Sequence, residues 1–270
     1  MGDEAVLMQG DGKAATLSLA RPPLAEIPGL VSGKTVVFAV HGFNVGFDSG
    51  VRSFALLHDA LQKRLPGYLL VGVLWPGDFV VPAINYPGEW RDAAESGRLI
   101  AAFCNQYLDQ AADICFLSHS LGGRVTLEAV ANLDRPAASV CLTAAATDDD
   151  CLEDPYDLAV ENSGRMTYLA SRKDVVLKLA YPIGDWAGDL FFGDRDKAFR
   201  GALGRNGAKW PKTKAETVKG LILANDPPYG HGSYFPTGEA GGKASDSSLK
   251  VARFAAAFFK EGRTVWPPPP

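Results

Sequence analysis

The segment Ser118-His119-Ser120-Leu121-Gly122-Gly123 has the residue types and spacing for nucleophilic chemistry. It is a variant of the nucleophile elbow G-x-S-x-G, with Ser118 in the first glycine position. Such an elbow is a sharp strand-to-helix turn that holds its middle serine in a strained conformation and exposes the hydroxyl. Bulky side chains two positions either side would collide with the neighbouring strand and helix. Ser118 is small, and Gly122 and Gly123 have no side chain. The helix that follows aims backbone N–H groups and its positive end at the site. The alternative reading of Ser120 is a helix N-cap, which needs no chemistry. A serine hydroxyl is a poor nucleophile at neutral pH. It needs a base within hydrogen-bond reach, and the base needs a carboxylate to fix its tautomer. Four histidines are available: His41, His58, His119 and His231.

The elements around the motif must deliver it to a common edge. Residues 35–40 (Thr-Val-Val-Phe-Ala-Val) form an apolar run without alternation, as in a strand buried on both faces of a parallel sheet. Similar runs recur at 68–74, 114–117, 139–145, 166–170 and 219–224. Helical spacing fills the intervals. Over 49–65, Val51, Phe54, Ala55, Leu57, Leu61 and Leu65 make a broad apolar face, ended by Pro66-Gly67. Residues 93–109, 121–133 and 248–261 also read as helices. The βαβαβα order implies an α/β fold with a mostly parallel central sheet and helices on both faces. Two stretches interrupt it, 76–90 and 181–216. Long connections of this kind are often functional. Residues 1–33 read as an N-terminal extension with one strand near 14–20, and Pro267–Pro270 as a disordered polyproline-like tail.

Composition bounds the function. The chain has 270 residues, read here as one domain spanning 1–270. A net charge of −4 gives no electrostatic footprint for nucleic-acid backbones, so no nucleic-acid partner is expected. A hydrophobic content of 47% supports a sizeable core. Glycine and proline are abundant, yet no short repeat carries them, which excludes collagen-like and solenoid readings. The four cysteines, Cys104, Cys115, Cys141 and Cys151, lack C-x-x-C spacing, so no zinc site is expected. Cys115 and Cys141 lie in apolar runs and read as buried thiols. No signal-peptide pattern and no membrane-length apolar run is found, so the default location is cytoplasmic, with no stable membrane insertion. The oligomeric state is left open.

A second motif, His41-Gly42-Phe43-Asn44, directly follows the run at 35–40. With it the sequence resembles the α/β-hydrolase superfamily of serine hydrolases. Residues 36–48 (VVFAVHGFNVGFD), Leu74-Trp75-Pro76-Gly77, Tyr86 and 117–124 (LSHSLGGR) occur in that order. They resemble a bacterial branch of the superfamily long described as of unknown function. The resemblance spans roughly residues 35–180. It implies the α/β-hydrolase fold, and an oxyanion hole made by the N–H groups of Phe43 and Leu121, each stabilising the oxyanion by on the order of 3 kcal/mol. His41 would then hold the loop rather than act as a base.

The superfamily's chain order, serine then acid then histidine, implies His231 as base, since no other histidine follows Ser120. His231 sits in a loop after the run at 219–224. His58 is expected on an exposed helix face, and His119 is expected to face away or pack beneath the turn. Asp174 follows the second strand beyond the elbow, where the superfamily usually places its acid. Asp148, Asp149 and Asp150, after the first strand, are the alternative. Arg172 and Lys173 read as solvated charges.

The reading is therefore a carboxylic ester hydrolase that works through an acyl-enzyme, with a small-molecule ester as partner and no cofactor. Trp75, Tyr86 and Trp186 are the expected substrate-binding residues, with Phe79, Trp90, Phe191 and Phe192 as further apolar candidates. Residues 181–216 could form a cap or lid, although their charges suit a greasy lid poorly. The alternatives are an amidase, thioesterase or lipase of the same fold, or a catalytically silent binding protein. Gly29-Leu-Val-Ser-Gly33-Lys34 is a near miss to a phosphate loop, but it precedes a strand and its glycine spacing is wrong.

Overall fold

The computed structural model describes residues 5–10, 17–19, 23–43, 45–75, 86–179, 201–209, 217–225 and 227–268. The elements run β1 (Ala5–Gly10), β2 (Leu17–Leu19), α1 (Ile27–Val31), β3 (Thr35–Val40), α2 (Phe47–Gln62), β4 (Leu69–Leu74), α3 (Tyr86–Tyr107), β5 (Asp113–His119), α4 (Gly122–Ala131), β6 (Ser139–Thr143), α5 (Asp157–Glu161) and β7 (Met166–Ala170). Then come α6 (residues 175–179), α7 (Leu203–Asn206), β8 (Leu221–Ile222) and α8 (Asp246–Glu261).

The strands form one eight-stranded sheet in the order β2-β1-β4-β3-β5-β6-β7-β8. Only the β1–β2 pair is antiparallel. The chain steps outward from β3 to β4, then crosses back to β5 and steps the other way. Right-handed crossovers in opposite directions put α2 on one face and α4 on the other. Accordingly α2 packs against α8, and α3 against α4. This is the α/β-hydrolase fold.

The apolar runs explain the strands. In β3 all of Val36 to Val40 is at 0% exposure, as both faces are covered by helices. Phe54, Leu57 and Leu61 recur at three and four on the inner side of α2, each burial contributing roughly 1.5–3 kcal/mol. Ser245 caps α8, its Oγ accepting from the Ser248 amide at 3.2 Å. The register aligns Val40 with Ser118, Ser118 with Leu142, and Leu142 with Tyr168. The segments that follow these residues therefore leave the sheet along one edge.

Several expectations need correction. The extension contains two sheet strands rather than one. Helix α3 starts at Tyr86, inside the stretch read as an interruption, because Pro87 lies in its first turn, where a missing N–H costs nothing. His58 is buried against Tyr68 on the inner face of α2, not exposed. The tail begins anchored: Trp266 packs on Tyr229 and Phe254, and Pro268 is buried. All four cysteines are free and buried, and burial pushes the Cys115 thiol up to about 12, far from a reactive thiolate. Among the described residues, no helix is long and apolar enough to cross a membrane.

Candidate active site

The sheet order reverses between β3 and β5. In open parallel sheets the crevice outside such a reversal is where ligands bind. The two segments that flank it are the loop after β3, with His41, Gly42 and Phe43, and the turn after β5, with Ser120.

Ser120 adopts φ 55°, a left-handed conformation that a non-glycine residue holds only when its surroundings enforce it. Here the surroundings are hydrogen bonds. The Ser120 amide donates to the Thr143 carbonyl at 3.0 Å, and the Ser120 carbonyl accepts from Gly123 at 2.9 Å and Ala146 at 3.0 Å. Ala144, beside it at the end of β6, is also left-handed, at φ 44°. Two glycines allow the close approach. A Cβ on Gly42 would stand 2.8 Å from the Ser120 Cβ, and one on Gly122 would collide with the carbonyls of Val40 and His41. The loop after β3 thus lies directly against the turn at Ser120. Among the described residues, the amides of Phe43 and Leu121 have no backbone acceptor.

His231 opens a short 3-10 turn, His231–Ser233. Its Nε2 lies 2.8 Å from Ser120 Oγ, and its Nδ1 lies 2.8 Å from Asp174 Oδ2. Asp174 is fully buried and accepts from two sides: Oδ2 from His231 and Oδ1 from the Leu177 amide at 2.9 Å. That second bond caps the start of α6 and fixes the carboxylate. With the aspartate as acceptor, His231 carries its proton on Nδ1 and offers the Nε2 lone pair to the serine hydroxyl.

The loop bearing His231 is pinned from several directions. Ser53 Oγ of α2 donates to the Pro236 carbonyl at 2.7 Å, and Arg52 Nε to the Gly238 carbonyl at 2.6 Å. Tyr234 is wholly buried, and burial together with the Asp174 charge holds its phenol well above the usual range. His119 Nε2 sits 2.8 Å from the His231 carbonyl. This contact was not foreseen from the sequence, which placed His119 away from the site or beneath the turn. The chain order brings the His231 side chain back to Ser120, but it gives no sign that His119 would hold the His231 backbone.

His41 is built into the scaffold. Its Nε2 accepts from the Trp75 amide at 3.3 Å, its carbonyl accepts from the Trp75 indole N–H at 2.9 Å, and the rings stack 5.8 Å apart. Trp75, expected to line a substrate pocket, is 3% exposed and packs under His41. Tyr86 is the first residue of α3, and its side chain lies outside the described residues, as does that of Trp90. Asn44, Phe79, Trp186, Phe191 and Phe192 lie wholly outside them.

Of the alternative acids, Asp149 is buried but bonds elsewhere: Oδ2 pairs with Lys209 Nζ at 3.0 Å and accepts from Asn206 Nδ2 at 3.2 Å. Asp148 bridges to Ala202. Arg172 and Lys173 are exposed. Among the described residues no three His, Cys, Asp or Glu side chains converge as a metal site would.

A search of curated proteins finds no match. Among solved structures the chain is similar to one of the metagenome-derived lipolytic enzymes LipS and LipT (14% identity, TM-score 0.47, covering 86% of this chain and 95% of that one). It is also similar to esterase PE8 (16%, TM-score 0.46, covering 87% and 94%) and to a variant of Arabidopsis thaliana SOBER1 (12%, TM-score 0.47, covering 85% and 98%). Residues 29–189 match the model of the family described as alpha/beta hydrolase of unknown function (DUF900). That match covers more than half of the sequence, and the chain belongs to this family of alpha/beta hydrolases.

Proposed function

We propose that the protein is a serine hydrolase that cleaves carboxylic esters of small to medium acyl or aryl groups through an acyl-enzyme. The observation that carries this reading is the relay of two 2.8 Å contacts, Ser120 Oγ to His231 Nε2 and His231 Nδ1 to Asp174 Oδ2. In the first half-reaction, Ser120 Oγ attacks the ester carbonyl carbon while His231 Nε2 takes the hydroxyl proton. Asp174 keeps the imidazole in the required tautomer and stabilises the imidazolium. The carbonyl oxygen becomes an oxyanion facing the amides of Phe43 and Leu121. The tetrahedral intermediate collapses as His231 returns the proton to the leaving alcohol. In the second half, His231 takes a proton from water, the hydroxide attacks the acyl carbon, and the proton returns to Ser120 as the acid leaves. The ester and one water are the only reactants these steps consume.

Intact-mass measurement after exposure to a fluorophosphonate probe tests the reading. One adduct is expected on the native chain and none on Ser120→Ala. A folded native chain that takes no adduct would overturn the hydrolase reading in favour of a silent binding protein.

A further inference from the structure

The residue before the nucleophile touches the residue that would activate it. His119 closes β5, and its ring lies 4.8 Å from the His231 ring and 5.6 Å from that of Phe235, centroid to centroid. Its Nε2 reaches the His231 carbonyl at 2.8 Å. A carbonyl can only accept, so the His119 proton sits on Nε2. The other ring nitrogen points at the opposite wall: a Cβ on Gly42 would stand 3.2 Å from His119 Nδ1. One imidazole therefore spans the gap between the loop that carries the base and the loop that carries the Phe43 amide.

Two successive residues of one turn hold the same histidine. His119 holds the His231 backbone, and Ser120 meets the tip of its side chain. Asp174 holds the remaining corner at Nδ1. The backbone carbonyl and both ring nitrogens of His231 thus each have a partner, and His119 supplies the one on the backbone.

We propose that His119 is a positioning residue for His231, fixing its backbone so that Nε2 stays in line with Ser120 Oγ. The proposal rests on the serine-hydrolase reading above. It gives the imidazole a role that a phenyl ring cannot fill, since only the imidazole can donate to the His231 carbonyl. Burying a polar ring is costly unless it is hydrogen-bonded, and the bond it makes here is to the base. The charge state fits the task. Burial, reinforced by the neighbouring His231, pushes the His119 imidazole down to about 3, so it stays neutral at the pH of ester hydrolysis. A cation at that distance would oppose the positive charge His231 takes on during the reaction.

Two substitutions separate the hydrogen bond from the packing. His119→Phe keeps a ring without a donor, and His119→Gln places an amide N–H near the position of Nε2. With the fluorophosphonate probe, His119→Phe is expected to lower the maximal labelling rate of Ser120 by about 10- to 100-fold at an unchanged half-saturating probe concentration. His119→Gln is expected to stay within about threefold of the native rate. Native labelling by the Phe variant, or equal slowing of both variants, overturns the proposal. A native chain that takes no label defeats the hydrolase reading instead. Long-range 1H–15N correlation of the native protein tests the positioning independently of reactivity and of whether the variants fold. His119 is expected as the neutral Nε2–H tautomer at pH about 7. An Nδ1–H tautomer or a charged ring overturns the proposal.

Discussion

Asp149 and Asp174 are the same residue type on the same edge of one sheet, one after β6 and one after β7, at 1% and 0% exposure. A buried carboxylate must find partners, and the two find different kinds. Asp149 takes a permanent cation, Lys209, and one amide, Asn206, both on the segment 201–209. Backbone bonds on either side complete a clasp: Asp149 N to the Gly201 carbonyl and Lys209 N to the Asp149 carbonyl, both at 2.7 Å. Asp174 takes a backbone amide and an imidazole. The Asp149 pair is complete at all times. In the reaction proposed above, the Asp174 pair gains its Coulomb energy at the step where His231 accepts the serine proton, the moment charge develops. On that reading, the partner decides whether a buried aspartate acts as a pin or as a working part.

That contrast can be broken experimentally. The largest effect is expected from Asp174→Asn, which keeps the shape but allows the wrong tautomer of His231. The rate of Ser120 labelling should fall by about 10⁴-fold while the protein remains folded. A loss below tenfold would place Asp174 with Asp149 among structural residues.

On the other side of the comparison, activity per folded molecule should hold and stability should drop. Here removing the exposed partner should hurt more than removing the buried one. Lys209→Met strands the Asp149 carboxylate, whose Oδ1 already lacks a partner among the described residues, at a cost of roughly 2–3 kcal/mol. Asp149→Asn removes the buried charge and leaves Lys209, whose side chain is 68% exposed, to water, at a cost of about 1–2 kcal/mol. Urea unfolding of the two variants would measure both, and the reverse order would show that the carboxylate is better hydrated than its burial implies.

The last effect separates the neutral imidazole of His119 from its imidazolium. The His119 imidazole is shifted down to about 3 from an ordinary 6.5. Between those values the unfolded chain binds a proton that the folded chain does not. The stabilisation from neutral His119 is therefore full above pH 6.5 and is lost as the pH falls toward 3. The slope within that window should be on the order of 1 kcal/mol per pH unit. His119→Gln should flatten it in unfolding curves taken between about pH 4 and 7, and equal slopes would remove His119 from the balance.

What the sequence could convey follows from range. Strands β3 and β7 match the apolar runs at 35–40 and 166–170 end to end, because burial on both faces leaves a continuous local signal. The turn at Ser120 was equally legible, since small residues two positions away are demanded by neighbours close in the chain. Strand β8 shrank to Leu221–Ile222 from an expected six residues. Just before it, Gly220 lies where any side chain would run into the Tyr168 ring, a clash between residues some fifty positions apart. The partners of Asp149 and the grip of His119 on His231 are likewise long-range, set by how loops fold back over the edge. Trp75 illustrates the remaining ambiguity: a large aromatic after a strand reads equally well as pocket lining or as core, and here it buries against His41.

The clasp at Asp149 also bears on how this scaffold tolerates change. On one side of residues 180–200 the chain is fastened at Asp174 and Leu177, and on the other at Gly201, Ala202 and Lys209. Both fastenings belong to the sheet edge that holds Ser120 and His231. A change of sequence that spares Asp149, Asp174 and Lys209 therefore spares the ties on which this edge of the sheet depends.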